Sequence, residues 1–62
     1  MTGTLVFLPL PGTDAFREVT VMAVHPDQTC DVTPRRGMLR PEYYSVPICT
    51  LAVDRPKGAT II

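Results

Sequence analysis

The chain has 62 residues, seven prolines and four glycines, and 45% of its residues are hydrophobic. A chain this short forms at most one small domain, whose stability is marginal unless a disulfide, a metal or a partner supports it. The hydrophobic content argues against a disordered chain, and the prolines and glycines argue against long helices. We therefore expect residues 1–62 to form a single domain of short segments joined by turns.

The formal net charge is zero, but the charges are unevenly distributed along the chain. Residues 1–31 carry four carboxylates and one arginine, a net charge of −3, whereas residues 32–62 carry five cations and two carboxylates, a net charge of +3. This asymmetry favours head-to-tail contact between copies, or local contact with an anionic partner. It does not favour a long nucleic-acid track, because binding to many phosphates needs a larger excess of positive charge.

The sequence predicts neither a signal peptide nor a membrane-spanning segment. Prolines interrupt the opening apolar run from Leu5 to Leu10, and no stretch approaches the roughly 20 apolar residues that cross a bilayer. Cys30 and Cys49 do not make a disulfide framework. We expect two reduced thiols, each a small buried hydrophobe, with a bridge between them as the main alternative. These features indicate a cytosolic origin.

The clearest predicted element is a β-hairpin over residues 17–33. Residues 17–25 are rich in β-branched side chains, and their alternation predicts a core-facing set made of Val19, Val21 and Ala23. Residues 25–29 read His-Pro-Asp-Gln-Thr, which predicts the turn. In the returning strand the alternation places Cys30 and Val32 inward, and the outward set is Thr29, Asp31 and Thr33.

The other predicted elements are short. Strands are expected over residues 4–8, 42–46 and 52–53, and the tail over 59–62 is apolar and β-prone. Ile48 and Leu51 are three residues apart, which predicts a single 3₁₀ turn with both side chains on one side. The sequence therefore predicts an all-β fold of about five short strands with one 3₁₀ turn.

This pattern resembles the small SH3-like β-barrels of bacterial and phage proteins. In those barrels a strand leads into a Pro-Asp-Gly-Thr type of turn, the chain returns as an x-Asp-Val strand, and a Val-Pro-hydrophobic segment closes the barrel. The matching segments here are Pro26–Thr29, Cys30–Val32 and Val46–Ile48, and Gln28 stands where the turn usually carries glycine. The resemblance covers roughly residues 17–53 and implies a small SH3-like barrel, a geometry shared by proteins of many activities.

The residues predict no catalytic site, no metal site and no cofactor. His25, Cys30 and Cys49 lack the close spacing of metal ligands. A nucleophile–base pair of Cys30 or Cys49 with His25 is an alternative, but Cys30 is predicted to face the core, where a thiol is unreactive. Type II dihydrofolate reductases share the barrel architecture, yet residues 44–47, Tyr-Ser-Val-Pro, do not match their Val-Gln-Ile-Tyr segment. We therefore expect a protein that binds rather than an enzyme.

A basic loop and the two apolar ends are the candidate sites for binding a partner. In the first group, guanidinium groups adjoin aromatic rings: Arg35, Arg36, Arg40, Tyr43 and Tyr44. Such groups pair with carboxylates of a protein, or hold phosphates and stack a base, and a merely solvated loop is the third interpretation. The second group is Leu5, Phe7, Ile61 and Ile62. Strand addition to a neighbour and pairing within the same barrel are both open for these ends.

The leading hypothesis is an interaction or assembly protein with a protein partner or with copies of itself. The resemblance to phage barrels implies that the protein is a small capsid-associated or head–tail component, located in the virion or in the host cytoplasm. The alternative is a small nucleic-acid-binding or regulatory barrel that uses the loop from Arg35 to Arg40 and the adjacent tyrosines.

Overall fold

A computed structural model describes residues 2–34 and 40–62, and these residues form an all-β fold. The predicted class, with five short strands and one 3₁₀ turn, is confirmed. The elements in chain order are β1 (Leu5–Pro9), β2 (Ala15–Val24), β3 (Thr29–Pro34), β4 (Tyr43–Pro47), the 3₁₀ turn (Ile48–Thr50) and β5 (Thr60–Ile61).

The strands form one sheet in the order β1-β2-β3-β4, with each neighbouring pair antiparallel. β5 pairs in parallel with the start of β2, where Ala15 and Phe16 lie opposite Thr60 and Ile61. Strand pairing among the described residues does not close this sheet into a barrel. The chain does return to β1 after the 3₁₀ turn, since Phe7 and Ala52 exchange two backbone hydrogen bonds of 2.8 and 3.0 Å. The strand predicted over 52–53 is this single bridge.

The predicted hairpin is formed by β2 and β3, and its turn is closed in the way the sequence indicates. The Gln28 amide donates to the His25 carbonyl (3.2 Å), and the Asp27 carboxylate accepts from the amide (3.2 Å) and hydroxyl (2.6 Å) of Thr29. The Thr29 hydroxyl in particular holds the pKa of Asp27 below its ordinary value of 3.8. Gln28 has a φ of +66°, the left-handed conformation that completes a three-residue hairpin loop.

Replacing Gln28 with glycine is expected to raise the free energy of unfolding by about 0.5–1 kcal/mol. The left-handed conformation strains a side chain with a Cβ, and relief of this strain outweighs the greater chain entropy of glycine in the unfolded state. Urea denaturation of both forms measures the difference. Gln28→Ala keeps the strain and serves as the control; a glycine variant no more stable than the alanine variant would contradict this account of the turn.

The core lies on one face of the sheet and is built from small side chains. Its buried cluster is Val6, Leu8, Val19, Val21, Cys30 and Val32, against which Tyr43, Val46, Ile48 and Leu51 pack. The inward positions predicted for Val19, Val21, Cys30 and Val32 are confirmed. Among the described residues, the largest side chains that are fully buried are four valines and one cysteine, while the bulkier Phe7 and Leu8 are 9% and 7% exposed. The completely enclosed part of the core is therefore made of small side chains.

Three residues differ from their predicted positions, and a bulge explains the first of them, Ala23. The register of β2 against β3 shifts between Val21 and Ala23, so Ala23 lies opposite Asp31 rather than on the core face and is half-buried. Asp31 and Thr33, predicted to face outward, are buried. Simple alternation predicts the face of a residue only where no bulge intervenes, and it does not predict whether that face is covered.

Candidate interaction surface and polar cluster

The two tyrosines beside the basic loop have separate roles. Tyr43 is half-buried against the core, and its hydroxyl accepts a hydrogen bond of 3.2 Å from the Arg17 guanidinium. Tyr44 points to solvent with 63% of its surface exposed, and Arg40 is exposed as well. Arg35 and Arg36 lie outside the described residues. Of the predicted basic and aromatic group, Arg40 and Tyr44 are therefore placed at the surface.

The two ends of the chain flank β2 on opposite sides. β1 starts with Leu5 opposite Thr20, whereas Ile61 lies opposite Phe16 on the side of β2 that also pairs with β3. The Ile62 amide donates to the Phe16 carbonyl (2.8 Å), so the tail pairs within its own chain. Phe7 is buried, Leu5 is 41% exposed and Ile62 is 70% exposed. That these residues contact a partner stays a prediction.

An exposed apolar edge is formed where β1 meets the segment after the 3₁₀ turn. Because Phe7 and Ala52 are bridged in antiparallel fashion, the residue after Ala52 lies beside the start of β1. That residue is Val53, which is 68% exposed and lies opposite Val6, while Leu5, 41% exposed, lies one position further along the same margin of the sheet. We call Leu5 and Val53 the β1 edge. The other large exposed apolar side chains, Val24, Tyr44 and Ile62, lie elsewhere on the sheet.

The outer edge of β4 has no strand partner among residues 2–34 and 40–62. This edge is short, it carries a bulge, and it ends in Pro47. Short length, bulges and prolines are the devices by which natural sheets prevent unwanted strand addition. Contacts through side chains are therefore better supported at β4 than pairing with a further strand.

A polar cluster joins the hairpin turn to β4, and sequence reasoning missed it. The Asp31 side chain is only 12% exposed, and one of its carboxylate oxygens accepts from the Ser45 amide (3.0 Å) and from His25 Nε2 (3.0 Å). The Ser45 hydrogen bond, with a smaller contribution from His25, holds the pKa of Asp31 below its ordinary value of 3.8. The sequence offered one signal for this cluster: an imidazole, His25, and a carboxylate, Asp31, lie on either side of the predicted turn.

The two thiols are free and lie in different environments. Cys30 is buried, and burial raises the pKa of its thiol, with the charge of Asp31 adding to the effect. Cys49 is exposed on the 3₁₀ turn, so the prediction that both are buried is wrong for this residue. The alternative of a bridge between them is not formed. Cys30 is thus unsuited to act as a nucleophile, because its reactive thiolate is disfavoured.

Only Cys49 is expected to react with a thiol reagent such as Ellman's reagent while the chain is folded. Cys30 becomes reactive when unfolding exposes it, so one thiol per chain reacts in buffer and two react in concentrated denaturant. Cys49→Ser should abolish the native reaction, whereas Cys30→Ser should leave it. Rapid native reaction of two thiols would contradict the burial of Cys30.

The described part of the chain has three further features, which concern metal ligands, helices and an open groove. It holds no group of three or more metal-ligating side chains, and none of its helices is long and apolar enough to span a bilayer. An open groove of about 400 Å³ lies beside β5, where Phe16 and two prolines adjoin Asp14 and Lys57. This groove combines apolar walls with one charge of each sign, and it does not assemble a reactive group.

No protein-family model matches the chain, and neither a curated protein nor a solved structure shows significant similarity to it. The SH3-like resemblance over residues 17–53 therefore stays a prediction. What remains as a guide to function is which apolar side chains the fold buries and which it leaves exposed.

Proposed function

We propose that this chain is a non-enzymatic interaction protein that packs into a larger protein assembly. The observation that carries the proposal is the imbalance between its core and its surface. Among the described residues the largest fully buried side chains are four valines and a cysteine, whereas apolar side chains of equal or larger size remain exposed: Leu5, Val24, Tyr44, Val53 and Ile62. Much apolar bulk is therefore left at the surface of a small core.

The energetic consequence favours a partner. Burying a valine contributes at most a few kcal/mol, and a chain of this length has a total stability of only about 3–9 kcal/mol. The exposed apolar side chains contribute little to this stability while the chain is alone. A partner that covers them stabilises the folded chain by mass action.

The β1 edge supplies the best-supported contact surface. It holds a leucine and a valine at the same margin of the sheet, with 41% and 68% of their surfaces exposed. Interfaces depend on a few such apolar or aromatic side chains that become fully covered. Tyr44 on β4 is a second candidate of this kind, and the protected outer edge of β4 favours its side chain over strand addition.

The assembly we propose is a phage particle, in which the chain is a small capsid-associated or head–tail component. This part of the proposal rests on the resemblance to small phage barrels and on the exposed apolar surface. Reconstitution with neighbouring virion proteins tests it: the chain should enter the assembled particle at a fixed stoichiometry, and a chain left outside purified particles would contradict it.

Nucleic-acid binding is a second candidate, favoured by the joint exposure of Arg40 and Tyr44. A guanidinium and an aromatic ring suit a phosphate and a base of a single strand. Fluorescence anisotropy with short single strands at low and moderate salt separates the candidates. Under the assembly proposal no salt-dependent binding occurs, whereas binding that is lost in Arg40→Ala and Tyr44→Ala would favour nucleic acid.

The assembly proposal is tested by the molecular mass of the isolated chain as a function of concentration. Exposed apolar surface should produce self-association, and light scattering measures it directly. Nucleic acid added at low salt should leave this mass unchanged.

A further inference from the structure

The strand β4 contains a bulge directly opposite Asp31. Cys30 pairs with Val46 and Val32 pairs with Tyr43, so two residues of β4, Tyr44 and Ser45, lie opposite one residue of β3. An extra residue of this kind leaves a backbone amide without a partner in the ladder. It also re-aims the adjacent side chain, which here is that of exposed Tyr44.

The bulge needs support, because Ser45 has a φ of +53°. The left-handed conformation is unfavourable for residues with a Cβ, and a non-glycine residue keeps it only where the surroundings compensate. Here the compensation is visible: the Ser45 amide, which the ladder leaves over, donates to the Asp31 carboxylate at 3.0 Å. An ionised acceptor makes this hydrogen bond stronger than one to a neutral group.

The same carboxylate oxygen also binds the end of the hairpin. His25 Nε2 lies 3.0 Å from Asp31 Oδ1, and the next carboxylate of the turn, Asp27, is held by Thr29 and does not reach β4. The ionisable group that acts on Asp31 is His25, the residue after β2; from β4, Asp31 meets the Ser45 amide. Asp31 in turn helps to raise the pKa of the neighbouring Cys30 thiol, and His25 also helps to lower the pKa of Asp27 in the turn.

We propose that the Asp31 carboxylate is a latch that holds the β4 bulge closed and thereby fixes the direction in which Tyr44 is presented. Without the latch, no hydrogen bond compensates the left-handed conformation of Ser45. The strand β4 then relaxes toward a regular conformation. When the bulge is removed, the pairing of β4 with β3 shifts by one residue, and such a shift moves alternate side chains to the other face of the sheet. Tyr44 is then no longer held at the surface in its present direction. This device operates whether or not Tyr44 meets a partner.

Protonation of the Asp31 carboxylate opens the latch, and the direction of this pH dependence follows from the hydrogen bonds that the carboxylate accepts. The folded chain favours ionised Asp31, so its pKa lies below the ordinary 3.8. The stabilisation is fully present above that ordinary value and is lost as the pH falls through the lowered pKa of the folded chain. The bulge should therefore open in acid before the rest of the sheet, whose core contacts are apolar.

Hydrogen exchange at single amides, followed by NMR on the full chain, tests the latch. Asp31→Ala should speed exchange of the Ser45 amide by about tenfold or more while the Val46 amide remains protected. Asp27→Asn is the matched control, since it alters a turn carboxylate that does not touch β4, and it should leave Ser45 exchange unchanged. Asp31→Ala combined with Ser45→Gly should recover the bulge signals of β4, because glycine favours the left-handed conformation unaided.

A titration of the unmodified chain keeps the test independent of variants that fail to fold. The chemical shift of the Ser45 amide proton should titrate with a midpoint below 3.8, and Asp31→Asn should abolish this titration while Asp27→Asn preserves it. Unchanged Ser45 exchange in folded Asp31→Ala, or a Ser45 shift that ignores acid in the unmodified chain, would overturn the proposal.

Discussion

Replacing Val19 with alanine is expected to lower the free energy of unfolding by about 2 kcal/mol, and Val53→Ala by less than about 0.5 kcal/mol. Val19 is 0% exposed in the middle of β2, so truncation removes about two buried methylene equivalents and leaves a cavity. Val53 is 68% exposed, and its truncation removes little buried surface. The two variants delete the same atoms, so the difference between them measures burial.

Urea denaturation followed by circular dichroism, at one low chain concentration for all forms, measures both values. Low concentration matters because self-association would stabilise the folded chain. For a chain with a stability of about 3–9 kcal/mol, the loss at Val19 leaves a visibly unfolded fraction at modest denaturant. Equal losses at Val19 and Val53 would contradict the core described above, or would show that Val53 is already covered by another copy.

Replacing both residues of the β1 edge, Leu5→Ser with Val53→Ser, is expected to weaken self-association more than tenfold while the fold persists. Removing two apolar contacts from the centre of an interface costs more than about 1.4 kcal/mol, the equivalent of a tenfold change. In the single chain both side chains are largely exposed, so the loss of stability should be small by comparison. The dissociation constant from a dilution series measures the effect.

Val24→Ser is the matched control for this surface. Val24 is 45% exposed at the far end of β2 and does not adjoin the β1 edge. Its replacement removes a comparable apolar side chain from another place and should leave the dissociation constant within about threefold. If Val24→Ser dissociates the chain as effectively as the double variant, the contact surface has been assigned to the wrong part of the sheet.

The hairpin was predictable because each of its signals is local. Alternating β-branched residues, a Pro-Asp turn and a second alternating run suffice to predict β2, β3 and their inward residues Val19, Val21, Cys30 and Val32. The 3₁₀ turn after β4 was also predictable from the spacing of Ile48 and Leu51, both of which pack on the core. These features depend on neighbours within a few residues.

The other features of the fold depend on contacts between residues that are far apart in the sequence. The bulges at Val21–Ala23 and at Tyr44–Ser45 change register without a glycine to mark them, so alternation misplaced Ala23. The burial of Asp31 becomes intelligible only when Ser45, fourteen residues later, is seen to donate to it. Likewise, the parallel pairing of the tail with Phe16 follows from no local pattern. Among the predicted binding residues, Tyr44 is exposed and Tyr43 packs against the core. Both are tyrosines, so only their places in the fold distinguish them.

Sedimentation velocity on the isolated, unmodified chain between about 1 and 500 µM, the range in which weak assembly contacts act, tests the central claim most directly. A chain that leaves its apolar bulk at the surface should show a mass that rises with concentration above the 6.8 kDa of one copy. The double variant of Leu5 and Val53 should remain near that mass over the same range. A chain that stays monomeric and stable throughout would contradict the proposal that this small domain is completed by assembly.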